Sequence, residues 1–329
     1  MQYYIVKYTR RVQLTGGSTF TVSLPSKWVQ RAGLVKGSEI DISEAGITLV
    51  LDPRTGEGQQ KAKTLTITKE VDDVFLERVL TSIYISYFDI LTIKTTRLME
   101  QKIREAVKRF ARRVMGVEIF EESSNSIVLQ NVLNSDNFTI WNALRRMSLN
   151  VETMISDTLQ SMKLRDSNMM MNVIERDDEV DRYQWYIFRE TKASISTSDN
   201  SVYALILSRI LERTADHTVN ICKILGASEK QSNAAIEKLS DFLEFSLAMY
   251  RESMEAFYSK NVDRMNELVE KKQDVYRIKD QILSDPKLKD LPTATAASEE
   301  ILRIGLYSTD TAELGMDYLL SDVSDFVLK

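Results

Sequence analysis

Over the first fifty residues, apolar and polar positions alternate in short runs, each closed by glycine or proline. Phe20, Val22 and Leu24 alternate with Thr19, Thr21 and Ser23, which is the period of a half-buried strand. At Pro25 the period changes. Proline suits the first turn of a helix, Trp28, Val29 and Ala32 give that helix an apolar side, and Gly33 stands where a left-handed cap ends it. Gly37 then turns the chain into a strand over Ser38–Ile42, and Gly46 into another over Ile47–Leu51. Fifty residues of this kind enclose little core. With no disulfide and no ligand cluster available, a second copy of the chain is the expected support, so the head is predicted to be an obligate dimer.

Residues 60–135 read as a small α/β segment. Strand patterns cover Thr64–Thr68 and Asp89–Thr95, and a helical pattern runs from Val71 to Tyr87. In a second helix, Gln101–Arg113, the apolar Ile103, Val107, Phe110 and Val114 recur at helical spacing. Lys102, Arg104, Lys108, Arg109, Arg112 and Arg113 fill its other faces. Such a basic face meets nucleic acid or an acidic partner, or is simply a charged surface packed on a small sheet. Gly116–Phe120 and Ser126–Asn131 then form a hairpin pattern.

From Phe138 onward the helical period dominates and the chain repeats itself. An offset of 94 lays Arg209-Ile210 on Arg303-Ile304 and Asp216 on Asp310. An offset of 95 lays Val173-Ile174-Glu175 on Leu268-Val269-Glu270, Val180 on Val275, Leu159 on Met254 and Met162 on Phe257. Two tandem three-helix bundles follow, with helices near 138–163, 168–195 and 201–226, then 229–259, 262–284 and 295–327. The predicted fold is therefore mainly α: a β head over 1–55, the α/β segment over 60–135, and bundles over 138–228 and 229–329.

Composition sharpens this division. Seven of the eleven glycines and two of the four prolines precede residue 59, which leaves long uninterrupted helices to the rest. Residues 1–50 hold six Lys/Arg and three Asp/Glu, so a basic head precedes an acidic body in a chain of net charge −5. No apolar run approaches the roughly 18 residues needed to span a bilayer, and Met1–Arg11 is too short and polar for a secretion signal, so no membrane insertion and a cytoplasmic location are expected. The single Cys222 cannot form an internal disulfide, and the single His217 excludes chemistry needing two histidines in one chain.

In the head, Arg10-Arg11-Val12-Gln13-Leu14-Thr15-Gly16-Gly17-Ser18, the strand leading to Leu24-Pro25, and Gly33-Leu34-x-Lys36-Gly37 resemble the SpoVT/AbrB-type swapped-hairpin domain. The resemblance implies two interleaved chains that bind DNA, with Lys7, Arg10, Arg11, Lys27 and Arg31 available to phosphates. The alternative is a head that only dimerises.

Two polar stretches raise the first bundle above a bare scaffold. Residues four apart share a helix face, so Asp177 with Asp181, and Glu212 with Asp216, each set two carboxylates side by side. If neighbouring helices turn both pairs into one groove, the charge calls for a cation, and hard oxygen ligands suit such an ion. Acidic pairs at this spacing also arise by chance, as Glu270/Asp274 and Glu313/Asp317 illustrate. The bland reading is solvated acids, or ion pairs with Arg176, Arg182 and Arg213. Ile174-Glu175-x-Asp177-x-x-Val180-Asp181 and Ile210-x-Glu212-Arg213-x-x-Asp216-His217-x-x-Asn220-Ile221 are similar to the signatures of the PhoU family. That resemblance implies a metal site, with Asp177, Asp181, Glu212 and Asp216 as ligands of a divalent or trivalent ion (Mg, Mn, Fe or Zn). In the second repeat, Lys272, Tyr276 and Leu306 stand where Asp177, Asp181 and Glu212 stand in the first, and only Asp310 remains, so a full second site is not expected. His217 projects about 100° from Asp216 and reads as a hydrogen-bonded structural residue.

A swapped-hairpin head followed by a PhoU body resembles archaeal phosphate uptake regulators. This implies a metal-binding, DNA-binding regulator of phosphate uptake. The alternative is an adaptor that docks on the ATPase of a phosphate ABC transporter without touching DNA. Catalysis is not expected: no nucleophile motif or Gly-rich phosphate loop appears, and one His cannot supply two Glu-x-x-His units.

Overall fold

The computed structural model describes residues 6–45, 48–53, 61–133, 138–194, 200–227, 232–286, 288 and 292–321. The turn expected at Gly46 lies outside these residues, as does the end of the last helix beyond 321. The chain divides into two compact units, Met1–Lys61 and Ala62–Lys329.

In the first unit, β1 (Gln13–Thr15) and β2 (Thr19–Thr21) form an antiparallel hairpin, and β3 (Ile40–Ala45) pairs antiparallel with β4 (Thr48–Pro53). Between the hairpins lies α1 (Ser26–Arg31), with Pro25 as its N-cap and Gly33 at a φ of 66° just past its end. The period-two reading places β2 correctly but not its half-burial. Phe20 is 74% exposed, and Val12, Leu14, Val22, Ile42 and Leu49 are exposed as well. No described residue of 1–61 is buried. Two isolated hairpins have too few strands to cover one another, so the apolar side of each is left uncovered within a single chain.

The second unit opens with a four-stranded sheet, order β5-β6-β8-β7, made by β5 (Ala62–Ile67), β6 (Ile90–Thr95), β7 (Val117–Glu122) and β8 (Ser126–Asn131). β5 and β6 are parallel, joined by α2 (Asp73–Ile85), and the other pairings are antiparallel. Asp72 caps α2 by accepting from the Phe75 amide at 3.0 Å. With α3 (Gln101–Arg113), the segment has a core of its own, including Leu80 and Tyr84 of α2, Leu91 and Ile93 of β6, and Val107 and Phe110 of α3.

Helices α4 (Ile140–Leu164), α5 (Ser167–Ser194) and α6 (Asn200–Gly226) pack on one another as the first bundle. The second consists of α7 (Asn233–Ser259), α8 (Val262–Glu270), α9 (Lys272–Ser284) and α10 (Pro292–Leu320). Both bundles share a continuous core, with α10 packed on α6 as well as on α7. The repeat holds in detail at its first turn. Arg165 and Lys260, 95 residues apart, both take left-handed backbone, with φ of 54° and 56°. The side chains that follow cap the next helices alike: Asp166 accepts from the Met169 amide and Asn261 from the Arg264 amide.

One expectation needs correcting. The helix expected over 262–284 is two helices, α8 and α9, because the Lys271 amide bonds back three residues to Leu268 and the Asp274 amide bonds to Lys271. The Lys271 ammonium reaches Glu252 of α7 at 2.7 Å, which holds the tightened turn in place. None of the helices is long and apolar enough to cross a membrane, among the described residues.

Close approach within the second bundle depends on glycine. A Cβ on Gly305 of α10 would lie 2.8 Å from Val275 Cγ1, whereas one on Gly226 would meet nothing nearer than Met170 Sδ at 4.0 Å. Gly305→Ala is therefore expected to cost about 1–3 kcal/mol in urea unfolding. Gly226→Ala should cost nothing measurable, and equal midpoints for the two variants would refute the packing argument.

Candidate functional site

The first-bundle carboxylates lie on α5 and α6, which pack side by side. Buried Val173 and Val180 seat α5 in the core, and buried Leu211, Ala215 and Val219 do the same for α6. This leaves the acids on the flank where the helices meet: Asp177, Asp181 and Glu212 half-buried, Asp216 exposed. Burial raises the Asp177 carboxyl above its ordinary value, and the charges of Asp216 and Asp178 raise it further. Burial also raises Glu212, helped by Asp216 and Asp177. Asp181 is pushed up to about 7, first by burial and then by Asp177, against the opposing pull of Arg113. The two pairs inferred from sequence spacing thus occupy one electrostatic field.

The arginines around them are not those expected. Arg176 pairs with Asp157 of α4 at 2.7 Å. Arg182 makes no ion pair, and Arg213 acts on Glu212 only through its charge, among the described residues. The clasping groups are Arg209, 3.4 Å from Glu212 Oε1, and Arg113. Arg113 arrives from the end of α3, its NH2 2.8 Å from Asp178 and 3.2 Å from Asp181, with its guanidinium over the Trp185 ring. Glu212 Oε2 is buried and has no hydrogen-bond partner. This orphaned oxygen, with all-oxygen donors of like charge beside it, fits a hard cation. Among the described residues, however, no three Asp, Glu, His or Cys side chains are gathered ready to hold a metal ion. The carboxylates share a field without closing on a common point.

His217 hydrogen-bonds through Nδ1 to Glu300 of α10 at 2.6 Å, and Asn220 donates to the same carboxylate at 3.1 Å. It ties the bundles together, as its position on α6 suggests. In the second repeat burial raises the Asp310 carboxyl, while the nearby Lys272 ammonium opposes this shift. Lys272 and Asp310 are thus neighbours, as their counterparts Asp177 and Asp216 are, but with an internal cation in place of a second acid.

In the head, Lys7, Arg10, Arg11, Lys27 and Arg31 are all exposed. Lys27 and Arg31, one turn apart on α1, line a shallow groove with Tyr8 and Gln30, and Arg10 lies over the Tyr8 ring. The basic face of α3 is mostly paired internally: Lys102 with Glu70, Arg104 and Lys108 with Glu122, and Arg109 with Glu77. The charged-surface reading therefore accounts for most of it.

The described residues define a protein of paired helical bundles with a carboxylate-bearing flank, preceded by a small β head. The PhoU domain profile matches residues 144–225, a span within the first bundle that holds all four carboxylates. A profile described as antidote-toxin recognition MazE, bacterial antitoxin, matches residues 13–59. The phosphate-specific transport system accessory protein PhoU homolog of Clostridium acetobutylicum is 22% identical over 165 residues, covering 47% of this chain and 75% of that protein. Similar solved structures include the phosphate transport system regulatory protein PhoU from Streptococcus pneumoniae, at 16% identity and a TM-score of 0.48 over 57% of this chain and 96% of that one. PhoU from Pseudomonas aeruginosa is also similar, at 16% identity and a TM-score of 0.41 over 55% and 96%.

Proposed function

We propose that this chain is a regulator of phosphate transport whose head binds DNA as a homodimer and whose first bundle holds a metal ion. The observation that carries the reading is the join itself: a span matching the PhoU domain and holding the paired carboxylates, on the same chain as a head that matches the MazE antitoxin profile and carries exposed basic residues. Homodimerisation is supported by the absence of any buried residue among those described in 1–61, together with exposed Phe20, Leu14, Ile42 and Leu49. A second copy is the simplest cover for these side chains.

Asp177, Asp181, Glu212 and Asp216 are the residues that would hold the ion, which supplies the positive charge their joint ionisation needs. Arg113 holds Asp181 through Oδ2, so an ion that draws on this carboxylate would compete with the contact Arg113 makes between α3 and α5. Through that competition metal status can reach the rest of the chain. The reading requires no catalytic step.

The relative's name ties it to a phosphate-specific transport system, and the protein target proposed for this chain is the ATPase of such a transporter or its signalling partner. The antitoxin description of the head's profile supports a second reading, an adaptor whose head contacts protein rather than DNA. Salt separates the two. DNA affinity of the full chain should fall steeply with ionic strength, and Arg10→Gln with Arg11→Gln should flatten the log–log slope by about 0.9 for each phosphate no longer neutralised. A slope near zero with those arginines intact selects the adaptor. Operator affinity that is identical with and without metal and phosphate removes the regulatory coupling.

A further inference from the structure

A groove of about 440 Å³ runs between α3 and α5, beside the carboxylates but distinct from them. Its acids are already engaged. Glu77 accepts from Arg109 at 2.9 Å, Asp178 from Arg113 at 2.8 Å, and Glu179 from Asn150 at 3.3 Å. Its arginines are not all satisfied. Arg112 and Arg182 make no ion pair among the described residues, and the Nε groups of Arg113 and Arg182 are buried with no acceptor. A buried donor without a partner costs about 1–3 kcal/mol, so neither guanidinium is fully satisfied where it stands. The groove's four arginines outnumber its three acids, which leaves it a net charge of +1, and the N–H donors of Arg112 and Arg182 are free of any ion pair among the described residues. A cation is repelled, and a neutral acceptor leaves the charge unbalanced. The matching ligand carries negative charge and several acceptor oxygens on one centre, the chemistry that guanidinium forks recognise best.

We infer that the groove between α3 and α5 is a binding site for a phosphoryl group, either free phosphate or the terminal group of a small phosphorylated molecule, with Arg112, Arg113 and Arg182 as its donors. The inference deepens the regulatory reading by giving it a place for its signal. It also gives the α/β segment a role, because the site needs a residue from each side. Since Arg113 holds Asp181 as well, an oxyanion in the groove and a metal ion on the flank would both draw on the same guanidinium.

The test is titration calorimetry on the full chain, stripped of metal over a chelating resin and kept in Tris chloride, with phosphate, ATP and acetate as separate ligands. One saturable site per chain for phosphate or ATP is expected, the tighter of the two identifying the source, and acetate should bind at least tenfold more weakly. Arg182→Gln should weaken the site tenfold or more. So should Arg112→Gln, whose exposed side chain leaves folding untouched, while Arg264→Gln on α8 should bind as the unaltered chain does. No saturable binding, acetate binding as tightly as phosphate, or unchanged affinity in both groove variants would overturn the assignment. Because the assay contains neither metal nor DNA, failure of the metal or DNA reading leaves its result intact.

Discussion

Replacing Arg189 with alanine is expected to cost about 3–5 kcal/mol of stability. Arg189 is 2% exposed, yet it carries a full charge. Its Nε donates to Glu190 at 2.9 Å and its NH1 to Asn131 of β8 at 3.4 Å. The guanidinium lies 4.9 Å from the centre of the Tyr84 ring and 5.1 Å from that of Tyr87, with Tyr186 at 6.0 Å. Three rings and two acceptors thus replace the water the charge has lost. Alanine would remove the guanidinium bonded to Glu190 and empty the space it fills among Tyr84, Tyr87 and Tyr186. Arg189→Lys should recover only part of the loss, because an ammonium cannot stack flat between rings while donating in two directions. Urea unfolding with intrinsic fluorescence reads the effect, and a cost below about 1 kcal/mol for Arg189→Ala would rule out this clamp.

The second large effect concerns protons and metal together. Asp181, at about 7, and the raised Asp177 and Glu212 hold protons in the folded chain that the unfolded chain has already released. The folded state therefore binds more protons between about pH 4 and pH 7, and the metal-free protein should lose stability as pH rises through that window. The groups that set the balance are the acids Asp177, Asp178, Asp181, Glu212 and Asp216, opposed by Arg113, Arg209, Arg213 and Lys223. A bound cation should reverse the slope at pH 7.5, adding about 2.7 kcal/mol at a hundredfold excess over its Kd. In Asp177→Asn with Asp181→Asn, melting temperature should be nearly flat across the window and indifferent to Mn or Mg, and elemental analysis should find no metal. A double variant that keeps both the pH slope and the metal content would dismiss these acids as ordinary surface groups.

How much of this could be read in advance depended on whether the cause lay within one element or between two. Ile103, Val107 and Phe110 recur at helical spacing, and α3 has the bounds that spacing gives, Gln101–Arg113. The carboxylate pairs were equally legible, because four residues along a helix fix a common face whatever surrounds it. The break between α8 and α9 was not. Buried Met265, Leu268, Val275 and Ile282 continue across it with no glycine or proline, and the cause is the reach of Lys271 to Glu252 on another helix. Arg113 was visible only as one cation among six on a basic helix. Its capture of Asp181, 68 residues further on, follows from how the sheet segment meets α5, which no local pattern encodes. The head shows the converse case: its alternation was clear, but the described residues leave its apolar side exposed.

Lys272 carries a last consequence. It stands near Asp310 and opposes the effect of that residue's burial from within the second repeat, whereas in the first Asp177 faces a second acid, Asp216, and Asp181 is held by Arg113 from α3. If the proposed ion binds at the first repeat, its removal is expected to loosen that repeat and leave the second unchanged. The two repeats would then answer unequally to one ion, and the His217–Glu300 hydrogen bond, which joins α6 to α10, lies where that inequality passes between the bundles.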